Sequence, residues 1–287
     1  MPINAGSVLE RRRLGAELAR LRDEAGLTME GVAERVDITR SKLGRIEKGK
    51  SSVAAADLNA LLRLYGVSGT ARAELERYVR GGNRRGANWW ARYNETLSAG
   101  YAEFLAFEAE AAVARQYQPL IVPGLLQTEA YARATHATGF FAFGPDQVDD
   151  LVEIRMLRQR RLTDEDGLEL HAFMTEAALN IQLGGAAGLR GQLQHLLSAA
   201  ELPNVTVQIV PYTSQSLSAH TSGATLFDFP DSGDPSVAFL DVIGGNLLRD
   251  DLRDVRRIAR VFENLANSAL SPAESMDLVA RKLEELL

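Results

Sequence analysis

The apolar residues recur with one period over the first eighty positions and with two periods beyond them, and that change divides the chain. From Leu9 to about Tyr78 the pattern predicts five short helices and no strand. Leu9, Leu14, Leu18 and Leu21 fall on or near one stripe, with Arg11, Arg12, Arg13, Arg20 and Arg22 elsewhere around it. Gly26 ends that helix, and Thr28 is placed to cap the next, whose apolar positions are Met29, Val32, Ala33 and Val36. After Asp37-Ile38 a third helix runs from Thr39 to about Glu47 with Leu43 and Ile46 inside, and Gly49 stops it. Ala54–Tyr65 and Thr70–Val79 complete the set. Farther on, Val205–Val210, Ala224–Phe229 and Val237–Ile243 are β-rich runs bounded by Pro, Gly, Asn and Asp.

The charge divides at the same place. Residues 1–85 hold 17 Lys and Arg against 11 Asp and Glu, which leaves 15 against 27 for the rest from chain totals of 32 and 38. A basic module joined to an acidic one points toward nucleic-acid contact in the first. The length of 287 residues suits two domains at roughly 100–200 residues each. There is no cysteine, so disulfides, thiol nucleophiles and thiolate metal sites are excluded. No run approaches the roughly 18–20 apolar residues of a membrane span, and the N-terminus lacks the apolar centre of a signal peptide. A cytoplasmic, nucleoid-associated protein with no membrane contact is expected.

A helix, a tight turn and a second short helix form a helix-turn-helix unit, and the turn needs a residue at or near positive φ. Asp37 stands there. Arg40 and Lys42 occupy the first turn of the next helix, where the macrodipole disfavours cations. Such a broken local rule often marks function. In this arrangement the start of the second helix enters the major groove, so Arg40, Ser41 and Lys42 are expected to face base edges. Arg45, Lys48, Lys50 and the Thr28 hydroxyl suit phosphates. The plain alternative for the charges is a solvated helix face. Gly44–Ser51 also spells the phosphate-loop pattern G-x-x-x-x-G-K-[ST], but that loop needs a strand before it, and Gly44 falls inside a predicted helix.

The segment ITRSKLGRIEKGK resembles the second helix and following turn of the Xre/Cro-type helix-turn-helix family over residues 9–79. That resemblance implies Thr28, Thr39, Arg40, Ser41, Lys42 and Arg45 as DNA-facing and Ala33, Ile38, Leu43 and Ile46 as core. Two departures stand out: Asp37 replaces the usual turn glycine, and Gly44 takes a position commonly held by serine.

Residues 81–88 read as a glycine-rich linker between a DNA-binding domain over 1–80 and a second domain over 89–287. In the second domain Trp89 and Trp90 read as core, followed by a long helical pattern over Glu95–Ala114. Val113–Ile121 and Leu168–Met174 read as strands. Leu125–Thr135, Asp146–Leu162, Glu176–Ile181, Leu189–Ala200, Asp250–Leu270 and Pro272–Leu287 read as helices. Ser271-Pro272-Ala273-Glu274 is a capping box. Consecutive strand runs favour α+β with a mixed or antiparallel sheet. The fold class expected is therefore an all-α helix-turn-helix domain followed by an α+β domain with a mixed sheet.

The segments YQPLIVPGLLQTEAYARA, RMLRQRRL, NVTVQIVPY and LSPAESMDLV resemble the C-terminal domain of the WhiJ-like regulators of actinobacteria, over about residues 88–286. The resemblance implies a transcriptional regulator, often encoded beside a small partner protein and sometimes described as antitoxin-like; it implies no particular ligand.

Chemistry in this half finds little support. His136, His171, His195 and His220 stand singly without metal-ligand spacing. Asp164-Glu165-Asp166-Gly167 reads as a turn and not a calcium loop. Asp149-Asp150 and Asp250-Asp251 read as helix starts, explained by the dipole. No cofactor and no metal are expected. The leading expectation is a sequence-specific regulator of double-stranded DNA, a homodimer on a palindromic operator, whose second domain senses a small-molecule effector or a small protein encoded by a neighbouring gene. One alternative is a protein-interaction module that DNA binding merely localises. Another is an enzyme, which requires a polar pocket with perturbed carboxylates near a histidine.

Overall fold

The computed structural model describes residues 7–80, 89–139, 143–216, 221–231, 233–243 and 245–286. The chain divides into two units, Met1–Arg92 and Tyr93–Leu287. The expected linker and His220 lie outside the described residues.

The smaller unit holds α1 (Val8–Glu24), α2 (Met29–Val36), α3 (Arg40–Glu47), α4 (Ala55–Leu64) and α5 (Gly69–Arg80), with no strand among its described residues. Ser7, Thr28 and Thr39 cap the first three helices by accepting backbone N–H groups. Leu14, Leu18, Val32, Leu43, Ile46, Leu58, Leu61 and Leu62 form one core, with Ile38 packed against it. Each such buried aliphatic side chain contributes about 1.5–3 kcal/mol. Gly44 is inside α3 and the element before it is a helix, so the phosphate-loop pattern has no strand to stand on.

In the larger unit six strands form one mixed sheet in the order β3-β2-β1-β4-β5-β6. They are β1 (Val113–Gln118), β2 (Glu169–Thr175), β3 (Val205–Val210), β4 (Ala224–Asp228), β5 (Val237–Val242) and β6 (Gly245–Arg249). β1, β2 and β3 pair in parallel, and the remaining neighbours are antiparallel. The helices are α6 (Ala99–Glu110), α7 (Glu129–Ala137), α8 (Pro145–Gln159), α9 (Gly185–Ala199), α10 (Leu252–Ser268) and α11 (Pro272–Glu284). Strand alternation sends Tyr117, Phe173, Leu226 and Ala238 to one face, where Val255, Phe262 and Leu265 of α10 cover them. On the other face Phe104 and Phe107 of α6 meet Phe227 and Phe239 with ring centroids 5.2–5.7 Å apart.

Four details depart from the sequence expectations. The helix predicted over Glu95–Ala114 is the shorter α6, because Ala111 turns extended and Ala112 N–H donates to Asp228 O at 2.9 Å, so sheet pairing replaces the helical ladder. The helix expected from Leu125 is a 3-10 turn at Gly124–Leu126 followed by α7, which starts afresh on its cap Thr128. Glu176–Leu179 is likewise a 3-10 turn. Asp251 does cap α10, but Asp149 and Asp150 lie in the second turn of α8. There they accept from Arg133 and from the Thr96 hydroxyl, so partners rather than the dipole hold them. Among the described residues no helix is long and apolar enough to cross a membrane.

Candidate nucleic-acid interface

The turn between α2 and α3 is made by Asp37 at φ 56°, ψ 48°. It is the one residue other than glycine with positive φ among those described. A short polar side chain tolerates this left-handed conformation better than most. Ile38 N–H then donates to Ala33 O at 3.0 Å, and the chain is turned directly into the cap of α3. At the other end Gly49 takes φ 65°, where Gly49 N–H reaches Ile46 O at 2.9 Å and Lys50 N–H reaches Arg45 O at 2.8 Å. These are the paired bonds of a Schellman ending.

Two close approaches and one ion pair hold α3 on α1. A Cβ on Gly15 would strike the backbone carbonyl of Glu47 at 2.6 Å, and one on Gly49 would lie 2.7 Å from Arg12 Cα. Arg22 grips Glu47 bidentately, Nε to Oε1 at 2.7 Å and the outer nitrogen to Oε2 at 3.0 Å. Both are well buried, at 13% and 7% side-chain exposure. The sequence reading singled out neither Arg22 nor Gly15, since the partners lie on another helix and only the chain reversal brings them together.

Held this way, α3 turns Leu43 and Ile46 inward and leaves Arg40, Ser41, Arg45 and Lys48 exposed, with Thr28, Thr39 and Lys50 exposed around them. Positions 40, 41, 44, 45 and 48 share one helical face. The hydroxyls of Thr28 and Thr39 accept from Gly31 N–H and Lys42 N–H, each at 3.1 Å, so their own hydrogens remain to donate outward. Lys42 stands apart from that face: its Nζ lies 2.6 Å from Asp57 Oδ2 of α4. That is near enough for an ion pair, though not aligned as a hydrogen bond. Arg40 Nε sits 2.6 Å from Glu30 Oε1, with both side chains largely in solvent. An exposed pair of this kind is worth little, so Arg40 gives it up at small cost to a stronger acceptor.

A second polar assembly lies in the larger unit. Arg158 of α8 donates to both carboxylate oxygens of Glu108 at 2.7 Å and to Tyr101 Oη at 3.0 Å. Arg155, three residues earlier, reaches Gln127 Oε1 at 3.2 Å and His136 Nε2 at 3.3 Å. Burial, followed by the charges of Arg155 and Arg158, drives the His136 pKa down to about 3. His136 is therefore neutral and its Nε2 is the acceptor. Burial raises the Asp241 carboxyl, while its oxygens accept from Gln118 at 2.6 Å and Asn246 at 2.8 Å.

His136 makes a testable contribution to stability. Because its pKa is depressed on folding, the unfolded chain binds the extra proton, so stability present above the ordinary value of 6.5 is lost as pH falls below it. Unfolding free energies of the wild type from urea titrations are expected to drop between neutral pH and pH 5 more steeply than those of His136→Gln, by up to about 1.4 kcal/mol per pH unit. Parallel curves would refute the assignment.

His171 hydrogen-bonds Glu169 at 2.8 Å, and burial lowers the His195 pKa. Among the described residues no group of three or more His, Asp or Glu is placed to hold a metal ion.

Residues 13–75 match the model of a helix-turn-helix domain. Residues 101–281, more than half of the chain, match that of a domain of unknown function, DUF5753. No curated protein matches the chain.

Proposed function

The chain belongs to the family of the domain of unknown function DUF5753, and with a helix-turn-helix domain ahead of that domain we propose that it is a sequence-specific transcriptional regulator of the WhiJ-like kind. The observation that carries this reading is the exposed face of α3. Arg40, Ser41 and Arg45 stand exposed on an eight-residue helix whose inner side is locked to α1, and in its first turn Arg40 and Lys42 lie beside Glu30 and Asp57. A helix docked by its first turns in the major groove puts Arg40 and Ser41 at base edges, with Lys42 joining them on release from Asp57. Arg45, Lys48, Lys50 and the threonine hydroxyls then face phosphates.

One such module buries too little surface for tight specific binding. The protein is therefore read as a homodimer on a palindrome with half-sites about 34 Å apart. The larger unit supplies control through an effector or a small protein partner and carries out no reaction of its own. Both roles place the protein with the nucleoid in the cytoplasm.

The test is fluorescence anisotropy on the protein's own upstream duplex and a scrambled duplex at one physiological salt concentration. Arg40→Ala is expected to reduce discrimination between the duplexes by about 1–3 kcal/mol. Lys50→Ala is expected to weaken both duplexes alike and to lower the salt slope by about 1. Equal, uniform losses from the two variants would sink the assignment of Arg40. Equal weak binding of the wild type to both duplexes would favour the localising module over the sequence reader.

A further inference from the structure

Of the 15 Lys and Arg beyond residue 85, in a part of the chain that holds 27 Asp and Glu, five fall within positions 249–260. Four of them, Arg253, Arg256, Arg257 and Arg260, are exposed on α10. At about 3.6 residues per turn they share about 100° of arc. The opposite side of the helix carries Val255, Phe262 and Leu265, which pack on the sheet. Asn264 and Asn267, also exposed, continue the arginine face toward the end of the helix.

Local structure gains nothing from this grouping. Like charges three and four positions apart repel along a helix, and Arg253 stands in the first turn, where the macrodipole disfavours a cation. The neighbouring carboxylates answer the arginines only in part. Asp251 caps α10 by accepting Arg253 N–H at 2.9 Å and lies 3.5 Å from Arg253 Nε. Asp254 is shared between two cations, at 3.7 Å from Arg257 and 3.8 Å from Arg249. Among the described residues no carboxylate is within ion-pair distance of Arg256 or Arg260, and Arg260 Nε donates only to Arg256 O at 3.4 Å. The side chains of Arg253 and Arg257 are 86% and 74% exposed, so their charge is open to a partner from solvent.

We propose that this face of α10 is a second DNA-contacting surface, one that binds the phosphate backbone of a duplex without reading its sequence. From Arg253 to Arg260 the stripe covers about 10 Å of helix axis, and a duplex presents about six charges over that length. A guanidinium fork matches phosphate oxygens bidentately, and the two asparagines add donors for the same backbone. An acidic protein segment is the competing occupant. Duplex DNA is favoured because a single helix-turn-helix buries too little surface for tight binding, and a cationic helix face in an otherwise acidic domain adds contacts of the kind that are short. The choice of DNA as partner rests on the DNA-binding reading above.

The test is a salt series of fluorescence anisotropy with the full chain, on its own upstream duplex and a scrambled one, both extending well beyond an operator. The variant carries Arg253→Gln, Arg256→Gln, Arg257→Gln and Arg260→Gln together. Its slope of log affinity against log salt is expected to be shallower by about 2–3.5. Its affinity is expected to fall at least about tenfold on both duplexes alike, so the ratio between them is kept. The pair Arg256→Gln and Arg260→Gln alone is expected to lower the slope by about 1–2, which keeps the test open should the fourfold variant fold poorly. A control with Arg133→Gln and Arg160→Gln, which removes exposed cations elsewhere in the larger unit, is expected to leave the slope unchanged. An unchanged slope in the α10 variants overturns the proposal, as does an equal drop per charge in the control or a loss confined to the upstream duplex. Binding of a poly-glutamate peptide that disappears in the variant while the DNA slope stays constant assigns the face to an acidic protein, and overturns it too. Sequence-specific binding with an unchanged slope overturns the α10 surface alone. A lowered slope without discrimination between the duplexes overturns the sequence-reading regulator alone, and no DNA binding by the wild type at low salt overturns both.

Discussion

Glu108→Ala is expected to remove about 3–5 kcal/mol from the stability of the larger unit. The total for a domain is only about 5–15 kcal/mol, so this is the most damaging single change foreseen there. Glu108 and Arg158 are 3% and 4% exposed, and each loses its hydration in return for two bonds of 2.7 Å. With the carboxylate gone, Arg158 keeps only the Tyr101 hydroxyl as a hydrogen-bond acceptor and faces the charge of Arg155. It has no route to neutrality, since a guanidinium keeps its proton.

The converse change differs in kind. Arg158→Met leaves a buried carboxyl that can take up a proton, so its cost is expected to be smaller and to shrink as pH falls toward the ordinary glutamate range. The double variant, with both charges removed, is expected to recover most of the loss. Chemical denaturation of the four proteins at two pH values checks all three statements. A Glu108→Ala cost below about 1 kcal/mol would place the pair with weak surface bridges instead.

In the smaller unit the corresponding change is Glu47→Ala. Its expected cost is about 2–4 kcal/mol, below the upper end for buried pairs because Arg22 keeps Asp23 and the Leu27 carbonyl as partners. A unit of this size has a modest reserve of stability. Arg22→Lys is expected to cost nearly as much, because an ammonium cannot span both carboxylate oxygens. A spectroscopic signature separates loss of this ion pair from general loosening. Burial, then the Glu47 charge, pushes the Tyr65 pKa up to about 12. Removing Glu47 leaves Arg22 as the dominant charge on that phenol, so Tyr65 is expected to titrate at lower pH in folded Glu47→Ala. An unchanged Tyr65 titration would remove Glu47 from its surroundings. Because α3 is seated on α1 through this pair, DNA affinity is expected to fall in proportion to the folded, competent fraction.

The helix-turn-helix unit was legible residue by residue because its signals are local. Thr28 and Thr39 cap, Asp37 takes the left-handed turn, Gly49 ends α3, and Leu43 and Ile46 point inward. Each depends on sterics and hydrogen bonds within one or two turns of chain. The run Val205–Val210 was legible as a strand for the same reason, and the capping box at Ser271 forms as read. By contrast, Gly245–Arg249 has no β-branched residue to announce it and becomes β6 only because the free edge of β5 offers it a register from Ala238 to Val242.

The arginines of α8 lie further still from what local pattern can reveal. The segment RMLRQRRL carries four arginines with nothing local to say which is buried, yet Arg158 lies against a carboxylate on α6, fifty positions earlier in the chain. Composition, helical period and turn chemistry determined the five helices of the smaller unit and the α+β class of the larger one, with its sheet read as mixed or antiparallel. Tertiary structure alone decided which charges are solvated and which must find partners. Desolvation is a property of everything packed around a group, and it leaves Glu47 paired with Arg22 and Glu108 with Arg158.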